Sequence, residues 1–313
     1  MKNFLKLIRI PNLLIIILTQ GMLRYFIILP LLGYQSVEPA MELMDFGLLV
    51  LATLLIAAAG YIINDYFDVD ADRVNKPERV IVGKKIRFEN AKLLYYAINV
   101  VAIVIGFYFA FSYDAFQLAL IFPIIIIMLY YYSARYKNMP FWGNMVVGIL
   151  SGFTVFIVWL FEFFALRSEA ASFIEAQDAF GMINIMVWGY TAFAFLTSMV
   201  REMIKDVQDI EGDKRVGSAT MPVRIGVNAS RYIIMALVTL TIISLGIAQY
   251  FLFDRGFGFA AWYLVITVQF MLAYLVVRLA TARQPADYKF LSGLSKIIMV
   301  AGILSMQLID LDL

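Results

Sequence analysis

The chain of 313 residues is 63% hydrophobic and 15% charged, with a net charge of +2 and a mean hydropathy of +0.84, the balance of an integral membrane protein and not of a soluble domain. It contains no Cys and no His, which excludes disulfides, thiolate chemistry, Cys- or His-ligated metal and imidazole bases, and leaves carboxylates, Lys, Arg, Tyr, Ser and Thr for any chemistry. The basic residues are dispersed through loops instead of forming a block, so no nucleic-acid partner is expected.

The N-terminal MKNFLKLIRIPNLLIIILTQ begins like a signal peptide, but no small-residue cleavage site follows, so it reads as a retained helix. A helix needs roughly 20 apolar residues to cross the hydrocarbon core, and on that criterion about nine spans follow one another. The first two lie near 12–33 and 44–64, and a loop over 64–90 rich in Asp follows them. Spans near 91–112 and 115–132 are separated only by SYDAF and should form a tight hairpin. Further spans near 141–161 and 183–203 lead to a second Asp-rich loop over 204–230, and spans near 231–252, 259–281 and 292–310 complete the chain. The expected fold is all-α: a polytopic bundle forming one transmembrane domain over 1–313.

With an odd number of spans, alternate loops share a side. Of the 25 Lys and Arg, all but Arg24, Arg167 and Arg255 fall on the side carrying both Asp-rich loops, which the positive-inside rule makes cytoplasmic. The absence of a transit peptide makes a prokaryotic inner membrane the simplest location.

Those two loops resemble one another. The first reads NDYFDVDADRVNKPERVIVGKKI and the second KDVQDIEGDKRVGSATMPVRIGVN. Each has D-x-x-D-x-x-x-D, a basic residue, Pro followed two residues later by Arg, and then Gly, an internal repeat across two halves of the bundle. If the second helix runs on through its motif at about 100° per residue, Asp65, Asp68 and Asp72 fall within an arc of roughly 60°, while Asp70 points about 140° away from Asp65. Asp206, Asp209 and Asp213 repeat that stripe after the sixth helix, and Asn64 adds a neutral oxygen at the edge of the first.

Carboxylates this close repel unless a cation lies between them. Hard oxygen donors completed by water and phosphate describe Mg²⁺, and facing stripes would hold about two or three such ions with a diphosphate between them. Arg73, Lys76, Arg79, Lys205, Lys214, Arg215 and Arg224 supply further phosphate donors. Two simpler readings compete. An EF-hand beginning at Asp68 would place Arg73 where Gly is required and Arg79 where Glu is required, which excludes it. Acids that merely solubilise a loop explain one stripe better than a repeated pair of identical spacing.

The residues resemble the UbiA superfamily of intramembrane prenyltransferases, whose members carry N-D-x-x-D-x-x-x-D after the second helix and another Asp-rich motif after the sixth. Asn64, Asp65, Asp68 and Asp72 match the first pattern; Asp206, Asp209 and Asp213 match the second. RIPN, with Arg9 and Asn12, resembles the family's start, and YSARYK, with Tyr132 and Lys137, resembles its segment after the fourth helix. The chain departs at NKPERVIVGKKI, which keeps Pro77, Arg79 and Gly83 but lacks a later Pro and Ser. The resemblance implies transfer of an isoprenyl group from its diphosphate, with Asp68, Asp72, Asp209 and Asp213 catalytic and, with Asn64, Asp65 and Asp206, holding metal. Arg9, Arg79 and Lys137 are implied diphosphate contacts, although positive-inside anchoring alone accounts for Arg79 and Lys137 equally well. Tyr130, Tyr131, Tyr132, Trp142, Trp188 and Phe193 are candidates to line a tunnel, against the commoner reading of aromatics near helix ends as an interfacial belt.

REMIKDVQDIEGDKRVGSATMPVRIG is similar to the second motif of archaeal-type enzymes that prenylate geranylgeranylglyceryl phosphate, which implies a phosphate-bearing alcohol acceptor served by Arg201, Lys205 and Arg224, while Asn12 and Tyr132 are implied substrate-binding residues. Aromatic prenyltransferases of quinone biosynthesis, of the 4-hydroxybenzoate, dihydroxynaphthoate or homogentisate type, share parts of these motifs and stand as the alternative. Outside the enzymes, a transporter would place its charges near the bilayer midplane, and a lipid-diphosphate binder would hold the ligand without turnover.

Overall fold

The structure is a computed structural model and describes the backbone of every residue except Met1, Lys76 and Arg79. The described residues are almost wholly helical, and 9 helices are long and apolar enough to cross a membrane. These are α1 (Ile10–Tyr34), α2 (Leu43–Phe67), α3 (Phe88–Ser112), α4 (Gln117–Ala134), α5 (Trp142–Ser168), α6 (Gln177–Gln208), α7 (Met221–Asp254), α8 (Gly258–Thr281) and α9 (Pro285–Asp312). The expected spans are all present, and several run longer. α6 and α9 extend well beyond their apolar stretches into the polar interface, whereas the extra length of α7 at its start is a separate turn of helix set off by a kink at Gly226 (φ 84°, ψ 161°). α9 starts on Pro285 with Gln284 and Asp287 forming a reciprocal cap. The two Asp-rich loops are correspondingly shorter than expected and partly helical, through Val69–Asn75 and Ile210–Arg215.

Each half is organised round one central helix. α2 packs on α3 and α4, and α6 packs on α5, α7 and α9. The α5–α6 contact has an identifiable cause in sequence. Gly148 and Gly152 stand four apart on one face of α5, and an added Cβ would lie 2.9 Å from the Phe195 ring at the first and 3.0 Å from the Thr191 carbonyl at the second. Small residues at this spacing let two membrane helices approach closely, which matters where lipid gives no hydrophobic drive for association.

The end of the bundle remote from the Asp motifs is closed by a buried polar network. Arg24 in α1 donates to Glu162 of α5 at 2.9 Å and to the Met41 carbonyl. The other Glu162 oxygen accepts from the backbone N–H groups of Ala40 at 2.9 Å and Met41 at 3.2 Å. Arg24 also lies 4.8 Å from the centre of the Phe46 ring. Nearby, Asp45 accepts the hydroxyls of Tyr108 and Tyr113, each at 2.7 Å. Arg24 and Glu162 are 3% and 0% exposed, yet each has its hydrogen-bonding partners, as charges inside a spanning helix require. The network fastens the α1–α2 connection to α5.

Candidate active site

The two Asp motifs break their helices at the same place. α2 stops at Phe67 and α6 at Gln208; the next residue in each case, Asp68 (φ −89°, ψ 0°) or Asp209 (φ −96°, ψ 6°), leaves ideal helical geometry before a short helix resumes. These are the sparsely populated angles often found at active-site residues. The i to i−4 hydrogen bonds nonetheless run through both breaks, from Asp68 to Asn64 at 3.0 Å and Asp72 to Asp68 at 2.8 Å, then from Asp209 to Lys205 at 2.9 Å and Asp213 to Asp209 at 3.1 Å. Helical continuity therefore preserves the spacing of each acidic stripe. Val69–Asn75 and Ile210–Arg215 pack against each other, with Cα atoms within 8 Å, so the motifs converge at one end of the bundle. Asp70, off the stripe, has a side chain 94% exposed and pairs loosely with Arg73 at 3.4 Å.

The acids face donors from several helices. Asp65 accepts from Arg9 at 2.8 Å, Asp68 from Lys137 and from Asn64 at 2.8 Å, Asp206 from Asn144 at 2.7 Å, and Asp213 from the Thr220 hydroxyl at 2.9 Å. Asp72 and Asp209 are half-buried at the same mouth. Arg9 reaches its place through a left-handed backbone, φ 53° and ψ 55°, at the start of α1, a conformation uncommon for a side chain of this size and frequent where strain serves a site. Its guanidinium lies 4.8 Å from the Tyr61 ring centre.

Lys137 belongs to a tight turn over Tyr136–Asn138. The turn sits against Gly143 of α5, where an added Cβ would be 2.8 Å from the Lys137 Cα. Asn138 joins this turn to the second motif, accepting from Ala219 N–H at 3.1 Å and from the Ser218 hydroxyl at 3.0 Å. Burial, reinforced by the Lys205 ammonium, pushes Lys137 down to about 8 against the opposing pull of Asp65.

Beneath the mouth lies a cavity of ≈ 380 Å³. Its charged and polar lining includes Arg9, Asn12, Asn64, Tyr132, Arg201, Lys205 and, unforeseen from sequence, Tyr61, Glu202 and Lys296. Its body is apolar, with Ile15, Ile56, Phe122, Leu129, Leu150 and Phe153 in the wall. Of the aromatic residues expected to line a tunnel, only Tyr132 does so here. Tyr130, Tyr131, Trp142 and Trp188 face outward at 39%, 50%, 58% and 57% exposure, and Phe193 borders a separate cavity of ≈ 250 Å³ towards the other end. Rings near helix ends gain more from the amphipathic membrane interface than from burial. Arg224 is exposed at the start of α7 and does not line the main cavity. Arg79 and Lys76 lie outside the described residues.

The donor set is entirely oxygen, from carboxylates and the Asn64 amide, which suits Mg²⁺ and offers nothing to softer metals. Among the described residues, no group of 3 acidic side chains stands close enough to hold a metal ion. An ion here would thus take part of its shell from a ligand's oxygens, the usual situation of Mg²⁺ bound with phosphates.

A membrane bundle with paired acidic motifs above a cavity that joins a charged and polar lining to an apolar body defines a protein for an anionic head joined to a hydrocarbon tail. Residues 26–294 match the UbiA prenyltransferase family, and the chain belongs to that family. It is 32% identical over 220 residues, covering 68% of both chains, to the digeranylgeranylglyceryl phosphate synthase of Pyrococcus horikoshii. A solved structure of a digeranylgeranylglyceryl phosphate synthase superposes with a TM-score of 0.65 at 26% identity, covering 100% of this chain and 99% of that one. A UbiA homologue from Archaeoglobus fulgidus, solved with GPP and Mg²⁺, shares the fold at a TM-score of 0.55 and 15% identity, over 97% of this chain and 99% of that one.

Proposed function

We propose that this prenyltransferase uses Mg²⁺ to transfer an isoprenyl group, geranylgeranyl by the measure of its relatives, from its diphosphate to the hydroxyl of a prenylglyceryl phosphate. The observation that carries the reading is the cavity itself: converging acidic motifs at its polar mouth, an apolar body beneath, and relatives named for this reaction. The basic residues gathered on the face of the two Asp-rich loops support a mouth on the cytoplasmic side.

Asn64, Asp65, Asp68 and Asp72 on one side and Asp206, Asp209 and Asp213 on the other would hold the ions. When bound, Mg²⁺ neutralises the negative charge that gathers on the leaving diphosphate as the allylic C–O bond breaks. Lys137 and Arg9 lie against the same acids and serve the diphosphate oxygens as charge-assisted donors. The apolar wall excludes water from the electron-poor isoprenyl carbon, and the faces of Tyr61, Phe122, Tyr132 and Phe153 are available to it. Glu202, also in the wall and paired with Arg201 and Lys205, is the carboxylate that would take the proton from an acceptor hydroxyl once the new C–O bond has made that proton strongly acidic.

The test is turnover by purified protein with Mg²⁺ and geranylgeranyl diphosphate, offered geranylgeranylglyceryl phosphate or 4-hydroxybenzoate, with diphosphate release and product mass as readouts. Ether formation on the glyceryl phosphate is the expected result. Turnover of the aromatic acid alone would replace this reading with the quinone-type reaction, and donor binding without turnover of either would make the protein a lipid-diphosphate binder.

A further inference from the structure

We infer that Arg201 on α6 and Lys296 on α9 form a second anion site in the cavity wall, separate from the diphosphate pole, that takes the phosphate monoester of the lipid acceptor. The inference rests on the reading of the acceptor given above. Charge arithmetic in the wall supports it. The ionisable Lys, Arg and Glu side chains that line the cavity are Arg9, Arg201, Lys205, Lys296 and Glu202. Arg9 is matched by Asp65, whereas Arg201 and Lys205 share the single carboxylate of Glu202, at 2.7 and 3.1 Å. Lys296 has Asn12 Oδ1 at 3.2 Å, a neutral acceptor, and no carboxylate within ion-pair distance among the described residues. Arg201 Nε is buried with no hydrogen-bond partner among them. The two cations line the same cavity from helices that pack on each other.

Surplus positive charge on spanning helices is unfavourable, and here it meets a void instead of a partner. Its place also argues against the donor diphosphate as occupant. Arg201 precedes Asp206, the first acid of the second motif, by five residues of helix, roughly 7.5 Å along the axis, while Lys296 comes from α9, which carries neither acidic motif. A glyceryl phosphate entering from the lipid side can set its phosphate between these cations with the free hydroxyl, a few bonds away, turned to the donor carbon. An acceptor lacking the phosphate leaves the same cations unpaired and is rejected for that reason.

Lys296→Met removes the charge while keeping much of the side-chain volume, and Lys296→Arg keeps the charge. For each, Kd is measured for dodecyl phosphate, dodecanol and inorganic phosphate without donor, alongside the KM for geranylgeranylglyceryl phosphate and the Mg²⁺-dependent Kd for geranylgeranyl diphosphate. The expected result is a rise of about 10- to 100-fold in the dodecyl phosphate Kd and acceptor KM for Lys296→Met, partial recovery in Lys296→Arg, and a donor Kd within about twofold of wild type, which also certifies the fold. Inorganic phosphate, lacking a tail, should bind far more weakly than dodecyl phosphate. An unchanged dodecyl phosphate Kd, or a loss that falls on the donor instead, overturns the site. If wild type binds dodecyl phosphate through Lys296 yet prenylates only aromatic acids, the site stands and the acceptor reading fails; if it prenylates the glyceryl phosphate with unchanged KM in Lys296→Met, the reading stands and the site fails.

Discussion

At one end of the bundle Arg24 meets Glu162 and the Met41 carbonyl, and both oxygens of Glu162 are engaged. At the other end Arg201 and Lys205 divide one carboxylate between them, Arg201 Nε is unpartnered among the described residues, and Lys296 touches a neutral amide. Both ends bury ionisable groups in spanning helices, and both would be flagged on that ground as functional. The difference lies in completeness. The first group is satisfied within the fold, so it holds the α1–α2 connection; the second lines a cavity and is complete only with a ligand.

The largest effect that would break this comparison is on stability. Glu162→Ala leaves Arg24 buried and uncompensated and is expected to cost about 3–5 kcal/mol, read as a lowered unfolding midpoint in detergent, while turnover per folded molecule is kept. Replacing both partners, Arg24→Met with Glu162→Leu, should recover only part of that loss, since it removes the uncompensated charge but leaves the Ala40 and Met41 N–H groups and the Met41 carbonyl without these partners. A loss of turnover without loss of stability would move this pair from scaffold to site.

The converse applies at the acidic mouth. Asp68→Asn or Asp209→Asn removes charge where a leaving group must be stabilised, and kcat should fall about 10²- to 10³-fold with at most a small fall in the unfolding midpoint, since Asp68 also loses its half-buried ion pair with Lys137. A fall in midpoint matching the fall in rate would make these acids structural. A smaller effect sharpens the link between packing and site: Gly143→Ala puts a methyl 2.8 Å from the Lys137 Cα, and displacing that turn is expected to cost about 1–3 kcal/mol and to raise the donor KM while leaving the acceptor KM in place.

Much of this was legible in the residues. The apolar runs show where the spans lie, and the repeated D-x-x-D-x-x-x-D shows the motifs, because helical periodicity turns spacing directly into a shared face. The stripe survives in the structure even though Asp68 and Asp209 interrupt the helices, since the i to i−4 bonds run through both breaks. What spacing could not supply was the rest of the wall. Tyr61, Asn144 and Lys296 are single polar residues on different spans with no local pattern, Glu202 stands in REMIKD without a signal of its own role, and they meet only once the helices pack. The one signal they gave, a polar group within an apolar span, was shared by Arg24 and Glu162, which belong to the scaffold. Only the partners each group finds in three dimensions separate the two. Most of the aromatics follow the commoner of their two readings, outward and not tunnel-lining: Tyr130 and Tyr131 stand next to Tyr132 in sequence, but on a helix three consecutive rings point to different sides, and only one meets the cavity.

The central claim is that both acidic motifs serve one bound head group. Its most direct test is calorimetric titration of a non-reactive geranylgeranyl thiolodiphosphate, with and without Mg²⁺, into wild type, Asp68→Asn, Asp209→Asn and the double variant. If the motifs share the ligand, each single substitution removes most of the Mg²⁺-dependent affinity and the double removes little more, a strongly non-additive cycle. Losses that simply add, or a substitution in one motif that leaves Mg²⁺-dependent binding intact, would contradict the account.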